Sequence, residues 1–161
     1  MDLSKVETGA ANALVLQLLG QAVKDRYQYM IVDCPPAFNA ASAAALIAAD
    51  DVVIPIKLDA FSLRGMGNLL HQISTMKQIN PGLQLAGVLP TMWYRCQQID
   101  DAEKQLQEAG LRVFHHIRRS NTVDKMTWAQ DPLLKSSPRS GAGLDYKNFV
   151  MQYVGGAENG L

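Results

Sequence analysis

Cysteine is nearly absent from this chain: Cys34 and Cys96 stand alone among 161 residues, far apart and at no metal-ligand spacing. That excludes a disulfide scaffold and a thiolate zinc site, and it suits a reduced, cytoplasmic setting. A surplus of one charge is missing too. The 15 basic residues balance 15 acidic ones, so no global field draws the chain to DNA or to a membrane surface. No apolar run approaches the roughly 20 residues of a membrane span. Met1-Asp2-Leu3-Ser4 opens without the basic stretch of a signal peptide. No glycine is followed by lysine anywhere. The G-x-x-x-x-G-K-[ST] run, whose bare N–H groups wrap a phosphate, is therefore not among these residues.

What is present is apolar material, 48% of the chain, enough to bury one domain-sized core. Val15, Leu18, Leu19 and Ala22 recur at helical spacing and predict an amphipathic helix before Asp25. Tyr29-Met30-Ile31-Val32, stopped by Asp33 and Pro35-Pro36, predicts a short buried strand. Residues 40–49 are alanine-rich and helical. Residues 52–56 read as a second strand, with Pro55 placing its end on an edge or a bulge.

The alternation then repeats. Met66, Leu69, Leu70 and Ile73 stripe a helix closed by Asn80-Pro81-Gly82. Residues 83–89 form a third strand that ends at Pro90. Ile99, Ala102, Leu106 and Ala109 line another helix, with Gly110 placed as its C′ residue. Residues 111–117 read as a fourth strand. Tyr146, Phe149, Val150 and Tyr153 stripe a last helix, with a frayed tail expected over residues 155–161. Such alternation predicts an α/β fold with a mostly parallel sheet and flanking helices, as a single domain over residues 1–161.

Ligands of open parallel sheets sit beyond the carboxyl ends of the strands. Asp33, directly after an apolar strand, has the position that holds magnesium or its water in phosphate-loop nucleotidases, and equally that of a plain turn or helix cap. Gly65-Met66-Gly67 and Gly141-Ala142-Gly143 read as helix-packing or turn glycines. Strand alternation would send His115 and His116 to opposite faces, so they would not share a metal. Cys34 has no nearby basic partner and reads as a small buried filler. Arg118, Arg119 and Lys125 cluster near a strand end, to meet phosphates or face solvent.

Taken in order, these segments resemble the ParA/Soj partition ATPases. Residues 27–36, Tyr-Gln-Tyr-Met-Ile-Val-Asp-Cys-Pro-Pro, look like the family's Walker B pattern, "YDYIIIDCPP". Residues 44–50 are similar to its "NALxAAD" helix, residues 61–66 to its "ALxGL" helix start, and Leu89-Pro90-Thr91-Met92 to its "LPTM" strand end. Asp131-Pro132-Leu133-Leu134 and residues 137–142 resemble "KPVLEYDPRSxGA". The double proline after Asp33 favours the ParA branch over the MinD branch, which usually shows Pro-Ala-Gly there.

The resemblance implies part of a P-loop NTPase fold of the SIMIBI type, with ATP and Mg2+ as cofactors. It implies a homodimer, a ParB-like partner, non-specific DNA binding, no membrane, and a cytoplasmic protein. By position, Asp33 would be the catalytic, magnesium-associated carboxylate; Thr91, Met92, Arg118 and Arg119 would lie near the adenine pocket. The sequence also departs from the family pattern. The deviant Walker A loop, its lysines and a second catalytic aspartate have no counterpart here, and the proline of "IPRN" is Arg118. The resemblance thus implies the C-terminal part of a partition ATPase, inactive alone, needing its N-terminal half. The alternatives are a non-catalytic module that pairs with a full-length ParA-like protein, or another deviant Walker ATPase, MinD-like or metabolic.

Overall fold

The computed structural model describes residues 3–35 and 38–158. Their contacts divide them into two units. One holds the described residues up to Val52 together with Gly67–Leu85; the other holds Val53–Met66 and the described residues from Ala86 on.

In the first unit, helix α1 (Leu3–Val23) packs on α2 (Ala40–Ala48). Helix α2 starts where it does because Asn39 caps it: Oδ1 accepts the Ala41 and Ser42 N–H groups at 2.9 and 3.1 Å. Its residues Ser42, Ala43, Ala44, Ala45 and Leu46 are all buried. Five consecutive positions go right round a helix, so this stretch of α2 is covered on all sides. At the other end of α2, the Asn80 amide donates to the Leu46 and Ala49 carbonyls at 3.1 and 2.7 Å. Those are the carbonyls a helix end leaves without partners.

Two expectations for this unit need correction. The helix over 15–22 exists and is longer, but Leu14, Val15, Leu18 and Leu19 on it are exposed, while Ala13 is buried. Residues 29–32 form no strand, and Ile31 is 93% exposed. A strand is defined by a neighbour's hydrogen bonds as much as by its own residues. Among the described residues the sheet order is β1 (Asp51–Lys57) beside β2 (Gln84–Thr91), so residues 29–32 lie outside it.

Strands β1 and β2 pair in parallel. The Gln84 N–H reaches the Asp50 carbonyl at 2.7 Å, and further along the Thr91 hydroxyl reaches that of Ile56 at 3.4 Å. Pro55 is exposed on β1, which ends the described sheet, as expected of an edge proline. Helix α3 (Ala60–Ile79) joins the two strands. Asp59 opens it by accepting the Ser62 N–H at 2.9 Å, with Lys57 at 3.1 Å on its other oxygen. The Ser62 bond first, and Lys57 next, hold the Asp59 carboxyl down at about 2.

In the second unit, residues 112–119 line the other side of β2. They are not the regular strand expected over 111–117, but touch β2 through two parallel bridges, Val88 to Val113 and Trp93 to Arg118. Between these the ladder changes parity. Val88 exchanges bonds with Arg112 and Phe114, Pro90 accepts from Ile117 at 2.8 Å, and Trp93 then bonds Ile117 and Arg119. Pro90 has no N–H to donate, and Met92 sits at φ 52°, a left-handed kink that re-aims the chain.

Helix α4 (Gln97–Glu108) ends as the sequence predicts. Gly110 stands at φ 80°, its N–H reaches the Gln107 carbonyl at 2.9 Å, and the Leu111 N–H reaches that of Leu106 at 3.1 Å. Two short helices follow, α5 (Asn121–Trp128) and α6 (Leu133–Ser136). The last, α7 (Gly141–Glu158), lays Tyr146, Phe149 and Tyr153 against a core of Leu89, Phe114 and Ile117. Phe149 meets Phe114 edge-on at 5.1 Å, while Val150 of the predicted stripe is exposed. The helix also runs past Gly155-Gly156 to Glu158, where fraying was expected. Glycine lowers helix propensity by about 1 kcal/mol, which does not end a helix already anchored by its aromatic face. Residues 159–161 of the expected tail lie outside the described residues.

Candidate functional site

The candidate residues fall in both units. Asp33 lies in the first, exposed, within residues 29–35, which belong to no helix or strand. It does not cap α2, because Asn39 does. Cys34 beside it is exposed and not the buried filler expected; the partial cover it has pushes its thiol up, and Asp33's charge adds to this.

Thr91, Met92, Arg118 and Arg119 all lie in the second unit, and the backbone brings them together. Arg119 donates its N–H to the Trp93 carbonyl at 2.8 Å, next to the kink at Met92, whose side chain is exposed. Thr91 uses its hydroxyl on β1. Arg118 is engaged with Asp145 of α7. Its Nε donates to Oδ2 at 2.7 Å, its Nη2 to Oδ1 at 2.8 Å, and its backbone N–H to Oδ2 at 3.0 Å. A proline here, as in the family pattern, would lack that last donor. Gly141 makes room for the pair, since a Cβ there would fall 2.9 Å from the Arg118 side chain. Gly143 is as tightly set, 2.9 Å from the Ser137 carbonyl. Both act as packing glycines, whereas Gly65 and Gly67 face open space.

Asp145 is the residue that sequence reasoning missed. It is 1% exposed, and burial raises its pKa. The Arg118 bonds and charge outweigh this and hold the carboxyl below the ordinary aspartate value of 3.8. The readable signal was an acidic residue at i+3 from Ala142 and i−4 from Phe149, on an otherwise apolar stripe. Asp145→Ala is expected to cost about 2–3 kcal/mol. That lies below the usual penalty for breaking a buried pair, because half-exposed Arg118 regains water. Asp145 binds its proton less readily folded than unfolded, so its stabilisation is present above about pH 4 and lost as pH falls through the lowered value. Urea melts of both proteins at about pH 7 and pH 3 check this: the gap between them should narrow in acid.

His115 and His116 do not point to opposite faces. Their rings stack at 4.7 Å with 24° between planes, because the ladder change at Pro90 breaks the alternation there. Among the described residues, no group of three His, Cys, Asp or Glu side chains is placed to hold a metal. Nor is any described helix long and apolar enough to cross a membrane.

The parallel pair β1 and β2 with its flanking helices is part of an α/β fold, and the solved structures it resembles are P-loop NTPases. Cobyrinic acid a,c-diamide synthase from Mycobacterium smegmatis, with bound ADP and magnesium, superposes with a TM-score of 0.75 at 25% identity, covering 94% of this chain and 56% of that one. Apo McdA from Cyanothece gives 0.73 at 20% identity, covering 89% and 59%. Residues 2–85 match the model of a family described as an AAA domain. The sporulation initiation inhibitor protein Soj of Bacillus subtilis is 41% identical over 138 residues, 82% of this chain and 54% of Soj. The chain belongs to the ParA/Soj family of partition ATPases. It spans about half the length of the curated relatives it matches.

Proposed function

We propose that this chain supplies the Walker B and adenine-side half of a ParA/Soj-like ATPase that segregates plasmid or chromosomal DNA. The observation that carries the reading is the 41% identity to Soj across 138 residues. Asp33 is then the magnesium-associated carboxylate. An exposed carboxylate suits magnesium, which keeps several waters and takes one or two carboxylates plus the phosphates. When bound, the ion would neutralise charge on the phosphates. Thr91, Met92, Arg118 and Arg119 form the adenine side, where Met92 offers an exposed apolar side chain and Arg118, held by Asp145, fixes the backbone.

The lysine-bearing loop that wraps phosphates is not among these residues, so ATP turnover needs that loop from a second half or a partner. Leu14, Val15, Leu18, Leu19 and Ile31 are exposed large apolar side chains, of the kind that association with another chain covers. They support a homodimer, or pairing with the complementary half or a full-length relative. A ParB-like protein and non-specific DNA complete the proposed partners.

Titration calorimetry with Mg-ATP tests the phosphate argument. The chain alone is expected to bind at millimolar strength at best, about −4 kcal/mol, with no hydrolysis. Micromolar binding would mean that other residues of this chain hold the phosphates.

A further inference from the structure

The turn over residues 91–93 is held by more than its backbone. The Trp93 and His116 rings lie face to face, 3.7 Å apart and 5° from parallel. The His115 ring stacks with that of His116 at 4.7 Å. Glu103 of α4 places Oε1 3.7 Å from His116 Nδ1, and neither this oxygen nor the buried Trp93 Nε1 has a hydrogen-bond partner among the described residues. Next to the stack, Met92 holds a left-handed φ of 52°, which a methionine keeps only where its surroundings impose it.

We propose that Trp93, His116 and Glu103 form a pH-sensitive clasp on the 91–93 turn, with neutral His116 as its positioning residue. It rests on the nucleotide-side reading of that turn only for its consequence; the clasp itself is read without nucleotide. Among the described residues, the charged or titratable groups around His116 are Glu103 and Asp100 from α4, Asp145 from α7, and His115 and Arg118 from its own segment. Burial above all, then His115 and Arg118, hold the imidazole below its ordinary 6.5, against the pull of Asp145 and Asp100. Burial and then Asp100 push Glu103 up, against the opposing pull of His115. At neutral pH the stacked ring is therefore uncharged. A proton added to it puts a charge into a half-buried stack, and the loss of hydration there outweighs the nearby carboxylates and weakens the stack. The sign follows from linkage: His116 binds its proton more tightly once released. The clasp is thus fully formed above about 6.5 and opens as pH falls through the lowered value.

Trp93 reports the state directly in a Trp128→Phe protein, because Trp128 is 90% exposed and outside the core. Its emission is expected to shift to longer wavelength between about pH 8 and pH 5, with a midpoint under 6.5. In His116→Phe, which keeps a flat ring on the indole but no titrating nitrogen, the shift should vanish. Emission that stays constant, moves to shorter wavelength (tightening by a cation over the indole), or shifts equally in His116→Phe overturns the clasp. If that variant does not fold, proton NMR of the unaltered chain decides. His116 ring protons should be displaced upfield by the indole at about pH 8 and return on acidification; no displacement refutes the stack. These signals need no nucleotide, so failure of the ATPase reading leaves them unchanged.

Discussion

Gly87→Ala is expected to destabilise the second unit by about 3–4 kcal/mol, summing overpacking and backbone strain. Gly87 stands at φ 151°, and a Cβ there would fall 2.7 Å from the Arg112 carbonyl oxygen and 2.7 Å from the Phe114 ring. Neither neighbour has freedom to retreat. The Arg112 carbonyl accepts the Val88 N–H at 2.8 Å, and the Phe114 N–H reaches back to the Val88 carbonyl at 2.9 Å. The Phe114 ring is wedged between core residues and the Arg112 guanidinium, 4.5 Å from its centroid. Moving either away would open the ladder between β2 and residues 112–119. Such a loss is a large share of the roughly 5–15 kcal/mol that keeps a domain folded. Urea denaturation followed by circular dichroism measures it as a lower midpoint at an unchanged slope. A midpoint within error of the unsubstituted chain would mean that residues 112–119 do not approach β2 this closely.

Asp33→Ala is expected to separate chemistry from stability. In a protein completed with the phosphate-loop half, by fusion or in trans, ATP turnover should fall about 100- to 1000-fold. That is the scale on which losing one electrostatic contact to the transition state acts. Folding stability should change by less than about 0.5 kcal/mol, since the side chain is exposed and the cap of α2 is Asn39. A cap role would instead show as about 1 kcal/mol of lost stability with turnover intact. Steady-state ATPase assays and thermal melts on the same two proteins distinguish these results, and normal turnover would remove Asp33 from the proposed site.

How much was legible in the sequence depended on the range of the interaction involved. The α4 ending at Gly110, the stop of α3 before Asn80-Pro81-Gly82 and the edge position of Pro55 were readable, because each is set by backbone chemistry within a few residues. The aromatic stripe of α7 was readable for the same reason. Asn39 as a cap, Asp145 on the apolar stripe and the narrow space at Gly87 were missed, although the first two left a local trace. Gly87 left none, since its constraint is a chain segment some 25 positions away.

By itself, then, the sequence determined the family, the five longest helices and the strands β1 and β2, all of which rest on local periodicity and ordered motifs. Tertiary structure decided the rest. Residues 29–32 have the composition of a strand, yet the described sheet gives them no ladder position, and pairing is a property of neighbours. Arg118 looks like a free cation in the sequence and is tied to Asp145 in the fold. His115 and His116 alternate on paper and stack in space, because Pro90 has no N–H to keep the register regular. In each case the deciding partner lies beyond the span over which a sequence pattern carries information.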